Sequence, residues 1–222
     1  MEYVFLGIFL IVSGLHLYAR LTRRAKLRDI TKIFILPMLV LMYLFGASVI
    51  NIFVVIALVA CWLGDVLLIK HGIKWFALGG LSFGIGHVFF IIAYNQYITY
   101  SSIPIFLLII IPLIIVGAVA IVLIKLKPYI KKVLFIPTIA YLLANASMNV
   151  FASFRLVSSI ASSSAFVGPL LTVIGAILFL VSDCSLFFVR FNKNSIMKTH
   201  FLVMLTYSLG ELLIVLGLII GH

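Results

Sequence analysis

Apolar positions along this chain fall into eight long runs separated by short polar ones. The runs cover residues 3–19, 32–46, 49–69, 75–97, 103–124, 133–153, 165–189 and 199–220. Most approach the roughly 20 residues that an α-helix needs to cross a bilayer, and the first two are shorter. The pattern predicts an all-α fold, a polytopic membrane bundle of eight transmembrane helices. No linker is long enough to divide it, so residues 1–222 read as a single domain. The longest polar stretches are the basic loop 20–31 and the serine-rich stretch 158–164. Two readings fit a recurring Lys-x4-Pro: a parallel 4+4 internal repeat, or chance recurrence at helix entries, where Pro is tolerated. Lys32-Ile33-Phe34-Ile35-Leu36-Pro37 resembles Lys132-Val133-Leu134-Phe135-Ile136-Pro137, and each opens the second helix of a four-helix half.

Composition supports the membrane reading. The chain is 65% hydrophobic and 9% charged, with a mean hydropathy of +1.37, whereas a soluble domain carries about 25% charged residues. The start, Met1-Glu2-Tyr3-Val4, lacks the basic region of a signal peptide, so the first segment is expected to be retained. Cys61 and Cys184 both fall in apolar runs and read as small core residues.

A net charge of +11 would suggest nucleic acid in a soluble protein. Here the cations sort by loop instead, and no nucleic-acid partner is expected. Arg20, Arg23, Arg24, Lys26, Arg28 and Lys32 lie in the first loop, and Lys70 and Lys74 in the third. Lys125, Lys127, Lys131 and Lys132 lie in the fifth, and Arg190, Lys193 and Lys198 in the seventh. The opposite loops hold only Arg155. Fifteen of sixteen basic residues on one side put the basic loops in the cytoplasm and both termini outside. The expected localisation is a multi-pass integral membrane protein, in the cytoplasmic membrane if the source is bacterial.

Against this background the acids stand out. There are five, and Asp65, Asp183 and Glu211 sit inside apolar runs. A carboxyl near a bilayer centre costs about 2.5–3.5 kcal/mol on insertion scales, so it faces the bundle interior and acts there. At about 1.5 Å per helical residue, Asp65 lies roughly 7 Å and Asp183 roughly 10 Å inside the basic edge. Lys32 and His16 enter from that edge, while His87, Tyr207 and Glu211 lie deeper. Gly79, Phe83 and His87 follow one helical stripe; Tyr141, Asn145 and Asn149 form a second, and Tyr207 with Glu211 a third. Gly80 and Gly84 give a small-xxx-small face for close helix approach. Asn145 and Asn149 also suit interhelical hydrogen bonding, and Lys32 also suits an interfacial anchor.

Two carboxyls sharing a low-dielectric pocket supply an acid and a base together. That suits acid-catalysed cleavage of a lipid, with Lys32 on a lipid phosphate, or a proton-coupled transporter. Zinc hydrolysis is less well supported, because no helix carries His-x3-His or His-Glu-x2-His. A Gly-x-Ser-x-Gly elbow and a phosphate-cradling glycine loop are also missing.

Several short motifs follow in order: Thr31-Lys32, Gly64-Asp65-x2-Leu68, Phe76-x2-Gly79-x3-Phe83-x3-His87, Phe179-x2-Ser182-Asp183 and Thr206-Tyr207-x3-Glu211. Together with eight spans they resemble the YhhN family of membrane proteins, whose characterised members are lysoplasmalogenases. Three positions depart from the family pattern. Ile33 stands where Pro usually follows the Thr-Lys pair, Phe90 stands where Tyr often follows the His, and Glu211 stands where Gln is usual. The resemblance implies hydrolysis of the vinyl ether bond of lysoplasmalogens to a fatty aldehyde and glycerophosphoethanolamine or glycerophosphocholine. The expected partners are the lysophospholipid substrate and membrane lipids, with no metal and no cofactor. Asp65 and Asp183 are the expected catalytic pair. Lys32, His87, Tyr207, Glu211, Asn145 and Asn149 would bind or orient substrate, water or a carboxyl. The alternative is a small transporter or lipid flippase that uses the two aspartates as proton sites.

Overall fold

The computed structural model describes residues 1–192 and 200–221. Lys193, Lys198 and His222 lie outside them. Eight α-helices run through the described chain: α1 Glu2–Leu21, α2 Ala25–Gly46, α3 Ile52–Ile69, α4 Ile73–Asn95, α5 Ile105–Leu126, α6 Lys132–Ala161, α7 Val167–Phe191 and α8 His200–Ile220. A short 3-10 turn, Tyr100–Ser102, precedes α5. All eight are long and apolar enough to cross a membrane.

Three boundaries depart from the sequence pattern. The expected loop 20–31 shrinks to a turn at 22–24, because both flanking helices continue through charged residues. The Thr22 N–H and hydroxyl both donate to the Tyr18 carbonyl and close α1. Arg23 then takes a left-handed φ of 57°, which reverses the chain within a few residues. Arg20, Lys26, Arg28 and Lys32 are therefore helical residues, not loop residues.

α6 is also longer than expected, and Arg155 is not in a loop. It is 1% exposed inside α6. Its guanidinium donates to the Gly221 carbonyl at 2.9 Å and to Thr172 Oγ1 at 3.4 Å, and it lies over the Tyr97 ring. Hydropathy alone ends the span where the cation begins; the folded helix continues because the Gly221 carbonyl, just past the end of α8, receives that cation.

Lipid is as apolar as leucine, so close backbone contact and polar groups hold such helices together. The antiparallel pair α7 and α8 meets at four glycines. A Cβ at Gly175 would lie 2.6 Å from the Gly210 carbonyl oxygen, and one at Gly168 would lie 2.7 Å from that of Gly217. The spacing Gly168-x6-Gly175 and Gly210-x6-Gly217 places each pair on one face. Between α3 and α4, Gly64 receives the Phe83 ring and Gly86 receives Cys61. Gly80 and Gly84, expected at a helix contact, have open space for at least 4 Å around the point where a Cβ would stand. They face an open cavity. α8 is buried along most of its length, whereas α5 buries only Val119 and Leu126. Cys61 is buried, and neither it nor Cys184 forms a disulfide.

Candidate active site

The cavity that Gly80 and Gly84 border encloses about 660 Å³, within the roughly 300–1,000 Å³ of a small-molecule pocket. Its deep wall carries Asp65, Asp183 and Tyr207, and its mouth carries Arg20, Arg28, Lys70 and Arg190. One side consists of Leu81, Ile85 and Val88 of α4 and Pro137 and Ala140 of α6. These five residues are exposed on the outside of the bundle. The cavity thus opens both at the basic end and sideways, toward the apolar surface between α4 and α6.

Asp65, on the last turns of α3, is 2% exposed. Its Oδ1 lies 3.1 Å from Lys32 Nζ, and its Oδ2 accepts from the Tyr207 hydroxyl at 2.8 Å. Lys32 is itself buried on α2. The Trp62 indole N–H donates to the neighbouring Ile33 carbonyl at 2.9 Å and ties α2 to α3 at this level. Lys32 was expected at the membrane edge with a lipid phosphate; its observed partner is Asp65. Lys132, its counterpart in the repeat reading, is exposed at the start of α6.

Asp183, on α7, is 5% exposed. The Tyr141 hydroxyl donates to its Oδ2 at 2.5 Å and Asn145 Nδ2 at 2.6 Å. Asn149 Nδ2 donates to Asn145 Oδ1 at 3.0 Å, which turns the Asn145 amide so that its nitrogen faces the carboxyl. Ser182, beside Asp183, donates to the Val203 carbonyl at 2.8 Å and ties α7 to α8. Both donors to Asp183 land on Oδ2, which leaves Oδ1 for the cavity. No cation lies within salt-bridge range of Asp183 among the described residues.

His87 and Glu211 are placed differently. Neither belongs to the cavity wall. His87 packs its ring against Phe179 at 5.0 Å and Tyr141 at 5.3 Å, and neither ring nitrogen has a hydrogen-bond partner among the described residues. It was expected to orient water or a carboxyl, and it touches aromatic rings instead. Glu211 is 0% exposed, and among the described residues neither oxygen has a hydrogen bond of good geometry; the Cys61 thiol, a weak donor, is its polar neighbour.

Tyr141 is the site residue that sequence reasoning left out. Its signal was the i, i+4, i+8 stripe with Asn145 and Asn149. Among the described residues no three His, Cys, Asp or Glu side chains converge as metal ligands.

The fold and site define a multi-pass integral membrane protein, a helical bundle with two partnered aspartates in a lipid-open cavity. The model of the YhhN family matches residues 27–218, and the chain belongs to that family. A search of the curated proteins found no match, and a search of the solved structures found none.

Proposed function

We propose that the protein hydrolyses the vinyl ether bond of lysoplasmalogens, with Asp183 as proton donor and Asp65 as electrostatic partner. The observation that carries this reading is the unequal pairing of two carboxyls in one cavity. Lys32 offsets the charge of Asp65, so Asp65 serves as a fixed carboxylate. Among the described residues Asp183 has only neutral donors, both on one oxygen, so its other oxygen can carry and deliver a proton. The family resemblance, in which characterised members are lysoplasmalogenases, agrees with this division of roles.

Asp183 transfers its proton to the alkenyl carbon once removed from oxygen, and an oxocarbenium ion forms at the adjacent carbon. The Asp65 carboxylate stabilises that cation, as a second carboxylate does at a glycosidase transition state. Water adds to the cation and returns a proton to Asp183, giving a hemiacetal. Asp183 then protonates the glycerol oxygen as the C–O bond breaks, and the hemiacetal hydroxyl gives up its proton to restore the acid. The products are a fatty aldehyde and a glycerophospho-alcohol. The sideways opening between α4 and α6 admits the alkenyl chain from lipid. With the basic loops in the cytoplasm, as the positive-inside pattern favours, substrate arrives from the cytoplasmic leaflet.

The test is aldehyde release from lysoplasmalogen by purified protein in detergent micelles. Asp183→Asn and Asp65→Asn are each expected to lower the rate by roughly 10²–10⁴. Full activity in both variants sinks the mechanism. Substrate movement in sealed vesicles without aldehyde release identifies a transporter instead.

A further inference from the structure

With Lys32 occupied by Asp65, the phosphate of the substrate needs another cation. A second hollow of about 340 Å³ lies between the α1–α2 turn and the start of α8, lined by Arg20, Arg23, Arg24, Arg28 and His200. Arg20, Arg28 and His200 also line the mouth of the main cavity, so the two spaces adjoin through these residues.

Arg20 is held in place by a chain of oriented hydrogen bonds. The Thr31 hydroxyl donates to the Leu27 carbonyl at 2.7 Å, so its oxygen is left to accept from His16 Nδ1 at 3.0 Å. That fixes the imidazole tautomer and makes Nε2 an acceptor, and Arg20 Nε donates to it at 3.3 Å. Among the described residues the Arg20 side chain is anchored through Nε, and no carboxylate lies within salt-bridge range of it. Its two terminal amino groups have no hydrogen bond among the described residues and form a planar fork that suits a phosphate. Arg28 is less available, since Asp29 takes both its Nε and a terminal amino group at 2.7 Å.

We propose that Arg20, oriented by His16 and Thr31, seats the phosphate of the lipid headgroup in the arginine-lined hollow while the chain occupies the main cavity. This rests on the lysophospholipid reading of the site. It makes Arg20 a specificity-determining residue that separates phosphate-bearing lipids from neutral ether lipids. His16 and Thr31 act through it as positioning residues.

The experiment measures binding to full-length protein in detergent with two non-hydrolysable probes of equal chain length, a 1-O-alkyl lysophosphatidylethanolamine and a 1-O-alkylglycerol. Arg20→Gln is expected to weaken the phospholipid probe on the order of tenfold, the loss of one charge-assisted pair, and to leave the glycerol probe within about twofold. His16→Leu gives a smaller loss in the same direction. Exposed Arg23→Gln supplies the same split, at a few-fold, where Arg20→Gln does not fold. Glycerophosphoethanolamine is expected to displace the phospholipid probe, and inorganic phosphate at equal concentration to displace it far less. Equal losses for both probes, no loss in Arg20→Gln and Arg23→Gln, displacement by inorganic phosphate as good as by the headgroup, or no binding of either probe each overturn the seat. The two readings fail separately. Binding with the expected split but no aldehyde release removes the hydrolase and keeps the seat, whereas aldehyde release without the split does the reverse.

Discussion

Asp65 and Asp183 have two polar partners each and line a cavity. Glu211, on α8 one turn beyond Tyr207, has no well-formed hydrogen bond among the described residues and does not line that cavity. All three are buried carboxyls in apolar helices, and only the first two have been given something to act on. The difference lies in the helices opposite. α2 brings Lys32 and α6 brings Tyr141 and Asn145, whereas Glu211 faces the Cys61 side of α3. Burial alone therefore does not mark a working acid in this bundle; burial with oriented partners beside an open cavity does.

The sharpest way to break that comparison is to turn a partnered acid into an unpartnered one. Lys32→Met leaves the Asp65 carboxylate buried beside a single tyrosine. Removing one partner of a buried pair costs about 3–5 kcal/mol, so a large fall in thermal midpoint in detergent is expected. Adding Asp65→Asn to Lys32→Met is expected to recover much of it, since the double variant buries no uncompensated charge. A midpoint unchanged in Lys32→Met shows that the pair contributes nothing, and the contrast with Glu211 then fails.

The glycines divide in the same way. Gly175 touches the backbone of α8, and Gly84 borders the cavity with open space around it. Gly175→Leu overpacks the α7–α8 contact and is expected to cost about 1–3 kcal/mol. Gly84→Leu is expected to leave stability within about 0.5 kcal/mol, while raising KM for long-chain substrates more than for short ones. Thermal melts and a chain-length series check the two outcomes. A chain-length profile unmoved by Gly84→Leu removes the lateral slot from the substrate path.

Much of this was legible in the sequence, because apolar run length and buried charge are local signals. The eight helices were readable from the runs. So were the intramembrane acids and the Tyr141, Asn145 and Asn149 stripe. What the sequence withheld depends on the facing helix. Gly80 and Gly84 have the spacing of a packing face, yet Gly79, Phe83 and Gly86 are among the α4 residues turned toward α3. Lys32 reads as an interfacial cation until α3 places Asp65 against it. Arg155 reads as the end of a span until Gly221, just past α8, supplies its acceptor. The basic segment after α1 reads as a loop because charge interrupts hydropathy, although charge does not interrupt a helix whose cations line a polar mouth.

His87 gives the smallest and most informative test. Its ring sits among Phe179 and Tyr141 with neither nitrogen partnered among the described residues, so the imidazole has lost water and gained no hydrogen bond from them. Replacing such a group by an apolar one of similar shape is neutral or favourable. His87→Phe is therefore expected to raise stability by up to about 1 kcal/mol, and Glu211→Gln to change it by less, with aldehyde release retained in both. Tyr141 and Phe179 already present aromatic faces to this position, so a phenyl ring meets the same surfaces as the imidazole. A loss of stability together with a loss of aldehyde release in His87→Phe overturns this account: the imidazole nitrogens then serve the Asp183 side of the site through Tyr141, and the line between acting and idle polar groups moves one helix deeper.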